Sequence, residues 1–286
     1  APINKVRLII YNKDALKEAG LPEPPSKWGD PSWNWDTFRD YAIKLTKRQG
    51  NVTTQWGVVG YGDGALEQIW TSNINGVGLF SADGKATGAN KESREAIQYL
   101  ADLIHKDKVH PLWGESNTGA KCDNIFVSGQ AAMYINGTFG FSKLRESATF
   151  DWDVAPEPMK KYSYNEGSLV LYGIPAKTKN PDLAAKFLFY LGEEFAQKIF
   201  AEKGNVPITK KYAEKYYIQP GVKPTRQQVV LDGMNYHKGV SYSDYTDEGK
   251  RLYRVYLHQV WAGEMGVEEA MSKAEVEVEA ALAGKR

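Results

Sequence analysis

The sequence predicts an α/β protein with mainly parallel sheets, because apolar strand-like runs alternate along it with amphipathic helical stretches. Three observations carry this prediction. Val6-Arg7-Leu8-Ile9-Ile10-Tyr11 and Ala131-Ala132-Met133-Tyr134-Ile135 are strand-like runs. Phe38, Tyr41, Ala42 and Leu45, and again Ala96, Ile97, Leu100, Leu103 and Ile104, recur at the spacing of one buried helix face. Turn signals stand between such segments, among them Asn75-Gly76, Asp83-Gly84 and Asn136-Gly137. A length of 286 residues admits one large domain or two medium ones.

The chain opens directly in its first strand, with neither Met nor a signal peptide. Either its start was removed by processing or it is part of a longer protein. Leu21-Pro22-Glu23-Pro24-Pro25 is a rigid connector, since each proline fixes its own φ and disfavours helix before it. Asn34 or Asp36 caps the next helix, and Gly50 closes it. Trp56 to Gly64 reads as a short strand and a glycine-rich turn, followed by a helix from Ala65 to about Asn73. Asn90 opens the helix that carries Ala96 to Ile104.

The run ending at Ile135 stops at Asn136-Gly137, with Phe139 and Phe141 just beyond. It is either a hairpin tip with core phenylalanines or a loop that holds rings against a ligand. Trp152 to Ala155 and Ser168 to Ile174 read as further strands. Asn180 caps a helix with Pro181 first, Phe187, Leu188 and Leu191 inward and Gly192 as its stop. Helices fill the remainder, and the last, from Val267 to about Leu282, is amphipathic.

Hydrophobic residues at 42% and charged residues at 25% describe a soluble globular chain. Its 36 basic and 35 acidic side chains nearly cancel, which leaves no electrostatic footprint for nucleic acid or an anionic membrane. No apolar run approaches the roughly 18 residues of a membrane span. The single Cys122 excludes an internal disulfide and reads as a small buried hydrophobe. A mean hydropathy of −0.50 beside 8 Trp, 17 Tyr and 10 Phe points to rings at a partly exposed surface.

Catalytic signatures fail one by one. There is no G-x-S-x-G elbow and no H-E-x-x-H. Gly78 to Lys85 lacks P-loop spacing, and Gly60-Tyr61-Gly62-Asp63-Gly64 departs from G-x-G-x-x-G and reads as a turn. His105, His110, His237 and His258 form no i, i+4 pair, so neither a metal nor a cofactor is expected. Tyr216-Tyr217 could recruit ferric iron, but adjacent tyrosines on a polar helix read as packing. No carboxylates stand out as a general acid/base pair.

Four segments stand in order along most of the chain. They are Tyr11-Asn12-Lys13-Asp14-Ala15-Leu16-Lys17-Glu18-Ala19-Gly20-Leu21-Pro22, and Trp33-Asn34-Trp35-Asp36-Thr37-Phe38 with Ala42-Ile43-Lys44-Leu45-Thr46. The third is Gly129-Gln130-Ala131-Ala132-Met133-Tyr134-Ile135-Asn136-Gly137, and the fourth is Gly173-Ile174-Pro175-Ala176 with Asn180-Pro181-Asp182-Leu183-Ala184-Ala185-Lys186-Phe187. Together they resemble the family 1 extracellular solute-binding proteins of ABC importers, the group that includes the maltose-binding proteins.

That resemblance implies a periplasmic-binding-protein-like fold of type II, two α/β lobes joined by a hinge. Residues 1–158 and 221–286 would form the second lobe, and residues 159–220 the returning part of the first. Ala1-Pro2-Ile3 is similar to the family's first inter-lobe crossing, so the first lobe is incomplete and a missing N-terminal segment is expected to complete it. The resemblance also implies no catalysis, a carbohydrate ligand and ABC permease transmembrane subunits as partners. The location would be extracytoplasmic, either periplasmic or lipid-anchored at the outer face of the cell membrane.

A sugar offers apolar C–H faces and a rim of hydroxyls, which aromatic rings and polar side chains complement. By resemblance, Asn136, Gly137, Thr138 and Phe139 form the main ligand-binding segment, with Phe139 where the family usually places a stacking Trp. Trp70 would be a second cleft aromatic or a core residue. Asn4, with Glu166, Gly167 and Ser168, would contact ligand or build the hinge. Tyr242, Asp244 and Tyr245 fall where relatives commonly donate a late aromatic, while Trp28, Trp33 and Trp35 read as packing. The expected function is capture of an oligosaccharide in the inter-lobe cleft. The alternatives are another polar solute (a polyol or glycerol phosphate), a carbohydrate-active enzyme with paired carboxylates, or a domain for protein contacts.

Overall fold

The computed structural model describes residues 3–60, 65–81, 85–239 and 244–283. Within them the strands build two sheets. β1 (Ile3–Lys5) and β2 (Arg7–Asn12) are separated by Val6 alone, yet belong to different sheets. β3 (Lys47–Gln49), β4 (Val52–Gly60), β5 (Ala131–Gly137) and β6 (Trp152–Ala155) join β2 in the order β3-β4-β5-β2-β6. β7 (Asn165–Val170), β8 (Val206–Pro207) and β9 (His237–Gly239) join β1 in the order β8-β1-β7-β9.

Helices alternate with these strands, so the fold class is α/β, but the sheets are not mainly parallel. In the larger sheet only β4 and β5 run parallel, and in the smaller only β7 and β9. The cause is the passage through Val6. β2 enters the larger sheet from the other one and runs against both of its neighbours, β5 and β6.

Local chemistry sets most helix ends. Asn34 caps the helix Trp35–Leu45 by accepting from the amides of Asp36 and Thr37, and Trp35, Phe38, Tyr41, Ala42 and Leu45 are buried. Gly50 does not close that helix. Thr46 does, donating its hydroxyl to the Ala42 carbonyl and accepting the Gly57 amide from β4. Gly50, at φ +59°, instead turns β3 into β4. Asn90 caps Lys91–His105 through the Ser93 amide. The closing helix Val267–Ala283 buries Val267, Ala270, Met271, Ala274, Val278 and Leu282 along one face. The expected turns at Tyr61 to Gly64 and at Asp83-Gly84 lie outside the described residues.

Residues 165–195 depart from expectation twice. β7 runs from Asn165 to Val170 rather than from Ser168 to Ile174, because its partner β1 reaches only from Lys5 to Ile3, opposite Ser168 to Val170. The helix Pro181–Gly192 has its expected ends, but the Asn180 side chain makes no capping bond and no residue of the helix is buried, Phe187, Leu188 and Leu191 included. From Leu171 to Phe195 nothing is buried at all. Leu171, Leu183, Phe187, Phe189 and Phe195 are each more than half exposed. Large apolar side chains in such density on one uncovered surface mark an interface.

The aromatic excess is mostly internal, against expectation. Trp28, Trp33, Trp35, Trp70, Trp152 and Trp261 are at most 3% exposed. Trp35, Trp70 and Tyr99 stack on one another with ring centres 4.7 to 5.4 Å apart. Trp33 and Trp28 donate their indole N–H groups to the Pro156 and Val229 carbonyls. Apart from Phe139, the exposed rings among the described residues gather between Tyr172 and Phe195.

Two tight spots generate predictions. A Cβ at Gly57 would lie 1.8 Å from the Ala42 carbonyl oxygen, so strand and helix meet backbone to backbone. Gly57→Ala is expected to lower unfolding free energy by about 3 kcal/mol in a denaturant titration, through overpacking. His110 is buried. Its Nε2 accepts the Gly60 amide at 2.9 Å, and its Nδ1 sits 2.8 Å from the Pro111 carbonyl oxygen, the pattern of the neutral ring. Burial lowers its pKa, so below about pH 6.5 the unfolded chain takes up the proton before the folded one does. Stability is therefore expected to fall as pH drops through about 6.5, with a shallower slope in His110→Gln.

Candidate ligand-binding site

β5 is buried along its whole length between β4 and β2. It does not end in a hairpin. A 3-10 turn, Thr138–Gly140, leads straight into the helix Phe141–Ser147. The Thr138 amide donates to the Val6 carbonyl at 3.0 Å, which ties the strand end to the passage between the sheets. Gly137 serves proximity rather than an unusual φ. Its φ is −144°, and a Cβ there would sit 2.6 Å from Phe139 Cε1 and 2.8 Å from the Val6 carbonyl oxygen. Phe141 turns into the core, whereas Phe139 stays 48% exposed.

A cavity of about 300 Å³ opens beside this ring, lined by Arg7, Asp123, Tyr134, Asn136, Phe139 and Lys143. Asp123 accepts the Tyr134 hydroxyl at 2.8 Å and lies 3.6 Å from the Lys143 ammonium. Burial, reinforced by the Asp123 charge, pushes the Tyr134 phenol well above its usual pKa, so it stays a donor. The Asn136 side-chain oxygen accepts the Gly137 amide at 2.9 Å. Lys5 places its ammonium 5.3 Å from the centre of the Phe139 ring. This arrangement can offer one apolar face, several hydrogen-bonding groups and positive charge to a polar solute.

Other expected site residues fall in three places. Asn4 lies in β1 opposite Leu169 and Val206, and Ser168 pairs with Lys5. Glu166 and Gly167, further along β7, pair with Lys238 and Gly239 of β9. The smaller sheet thus holds all four of these positions. Asp244 and Tyr245 begin the helix Asp244–Ala262, and Tyr242 lies outside the described residues. Trp70 is the correction. It is fully buried, with its ring packed against Trp35 and Tyr99, so no part of the ring is open to a sugar.

Lys5, Arg7, Asp123, Tyr134 and Lys143 were not singled out from sequence. Arg7 alone left a trace, a charge set inside the apolar run Val6 to Tyr11. Elsewhere the chemistry is structural. Cys122 is buried, its thiol pushed up to about 12 by burial. Tyr216 donates to Glu194, while Tyr217 is buried with its hydroxyl toward the Gly204 carbonyl. Among the described residues no group of three or more His, Cys, Asp or Glu is placed to hold a metal ion. No described helix is long and apolar enough to cross a membrane.

A profile of the bacterial extracellular solute-binding protein family matches residues 1–198. The chain is 27% identical over 292 aligned positions to the sn-glycerol-3-phosphate-binding periplasmic protein UgpB of Shigella dysenteriae, and likewise to that of Escherichia coli. The alignment covers 93% of this chain and 63% of the length of these curated relatives. Among solved structures, an ABC substrate-binding protein from Listeria monocytogenes in complex with cycloalternan superposes with a TM-score of 0.84 at 21% identity. That match covers 98% of this chain and 70% of the other. Maltose-bound T. maritima MalE3 gives 0.80 at 21% identity, over 98% and 71% of the two chains. UgpB of Mycobacterium tuberculosis in complex with glycerophosphocholine gives 0.77 at 18%, over 99% and 70%. At these identities the structural matches establish the fold, which is that of the type II periplasmic binding proteins.

Proposed function

Because the chain belongs to the bacterial extracellular solute-binding proteins, a family of binders rather than enzymes, we propose that it captures a carbohydrate between two α/β lobes and delivers it to an ABC permease. Phe139 carries this reading. It is a half-exposed ring at the end of a strand that is otherwise buried, held there by the close approach of Gly137 to Val6. Sugar C–H faces suit such a ring, and the polar wall of Tyr134, Asp123 and Lys143 suits hydroxyls. Similar structures hold cycloalternan and maltose. A second reading, a small phosphorylated polyol, is favoured by the relatives that bind sn-glycerol 3-phosphate.

Residues 159–220 fit the returning part of a first lobe whose sheet is completed by polypeptide outside this chain. The uncovered stretch Leu171 to Phe195 supports this. Beyond it, Ala201, Val206, Ala213 and Tyr217 already share a core with Val6 and Trp28. Lobe closure around a solute then follows the hinge behaviour of such binders.

Two outcomes test these readings. In a thermal-shift screen of the protein at its relatives' length, a carbohydrate at a hundredfold its Kd is expected to add about 2.7 kcal/mol of apparent stability. Phe139→Ala is expected to weaken that sugar about tenfold, or about 1.4 kcal/mol. Shifts with phosphate esters alone would transfer the assignment to the second reading. Separately, Phe187→Glu is expected to destabilise the extended protein by about 1–3 kcal/mol, through a charge in an apolar interface. In the 286-residue chain the same change should be nearly neutral. Small effects in both would leave the helix face without a completing segment.

A further inference from the structure

The charge beside Phe139 goes beyond what a neutral sugar needs. Lys5 ends β1 immediately before Val6, and its ammonium rests 5.3 Å from the centre of the ring. Among the side chains described, no carboxylate pairs with it. Asp123, the carboxylate lining the adjoining cavity, is already engaged by the Tyr134 hydroxyl and the Lys143 ammonium. A solute that covers Phe139 must also strip water from Lys5. A neutral ring would displace water from that partly buried ammonium without supplying a counter-charge. A phosphate or carboxylate would instead accept a charge-assisted hydrogen bond from it.

We propose that Lys5 is a specificity-determining residue that makes this part of the site an anion subsite, so that the captured solute carries a phosphate or carboxylate on a hydroxyl-bearing body. The proposal rests on Phe139 belonging to the ligand site. The hydroxyl-bearing body lies on the Phe139 face, and its anionic group lies toward Lys5. No bond is made or broken.

Isothermal titration of the protein at its relatives' length with matched pairs tests this: glycerol against glycerol 3-phosphate, glucose against glucose 6-phosphate, and glucose against glucuronate. Inorganic phosphate and a neutral maltodextrin serve as further probes. At least one charged member is expected to bind about ten- to a hundredfold more tightly than its neutral partner, with affinity falling as salt rises. Lys5→Met should remove most of that preference, and Lys5→Arg should retain it. Thermal midpoints at the wild-type value show that both variants are folded. Equal affinities within every pair, or binding of neutral sugars alone, would overturn the anion subsite and leave the carbohydrate reading standing. A preference that survives in Lys5→Met would overturn the role of Lys5. Inorganic phosphate binding as well as the organic esters would overturn the hydroxyl-bearing body. Failure of every probe, maltodextrin included, would overturn both this inference and the carbohydrate reading.

Discussion

Val6 is the only residue between β1 and β2, and both sheets take their register from it. On one side Lys5 pairs with Ser168, and on the other Arg7 pairs with Gly137. The Val6 carbonyl receives the Thr138 amide, and its side chain is fully buried where Gly233 passes so closely that a Cβ would lie 2.7 Å from Val6 Cγ1. A buried, close-packed residue of this kind has little freedom to repack. The turn that carries Phe139 is therefore tied directly to the point where the two sheets meet. The candidate site lies beside this passage, with its ring on the 3-10 turn that follows β5 and its cation at the end of β1.

A polar network performs the matching task at the far end of the larger sheet. Arg226 pairs with Glu23 at 2.6 Å and donates to the Pro24 carbonyl, while Asp153 on β6 accepts the Arg226 amide. Tyr11 on β2 donates to the same Glu23. These bonds fasten the segment after Gly221 back onto the proline connector, so the end of the chain rejoins its beginning. Such partly exposed ion pairs contribute little singly, but a shared network of them fixes geometry.

Local signals proved legible where the governing forces were local. Asn34, Asn90 and the buried face from Val267 to Leu282 could be read because caps and helical periodicity act within a few residues. The direction of β2 could not, since it is set by the passage at Val6 and not by any property of the strand's own residues. The helix Pro181–Gly192 shows the limit of periodicity. Its apolar residues were visible, but what covers them is not a local property. The main segment Asn136 to Phe139 came through resemblance, and its neighbours Lys5 and Lys143 did not, because their meeting with Phe139 depends on sheet register and on a helix set down beyond a 3-10 turn. Trp70 was ambiguous in sequence for a plain reason. A large ring suits a stacked core and a sugar platform equally well, and only its neighbours decide.

The order of strands in the smaller sheet also bears on how the molecule is made. Among the described strands β1 is made before the others, yet the partners described for it are β7 and β8, and β9 joins the sheet only at His237 to Gly239. The described strands of the larger sheet, by contrast, have all been made once Ala155 has emerged. At that point neither of the strands that flank β1 in the smaller sheet has yet been made. Late, long-range pairing of this kind folds slowly and leaves an edge open to unwanted partners in the interval.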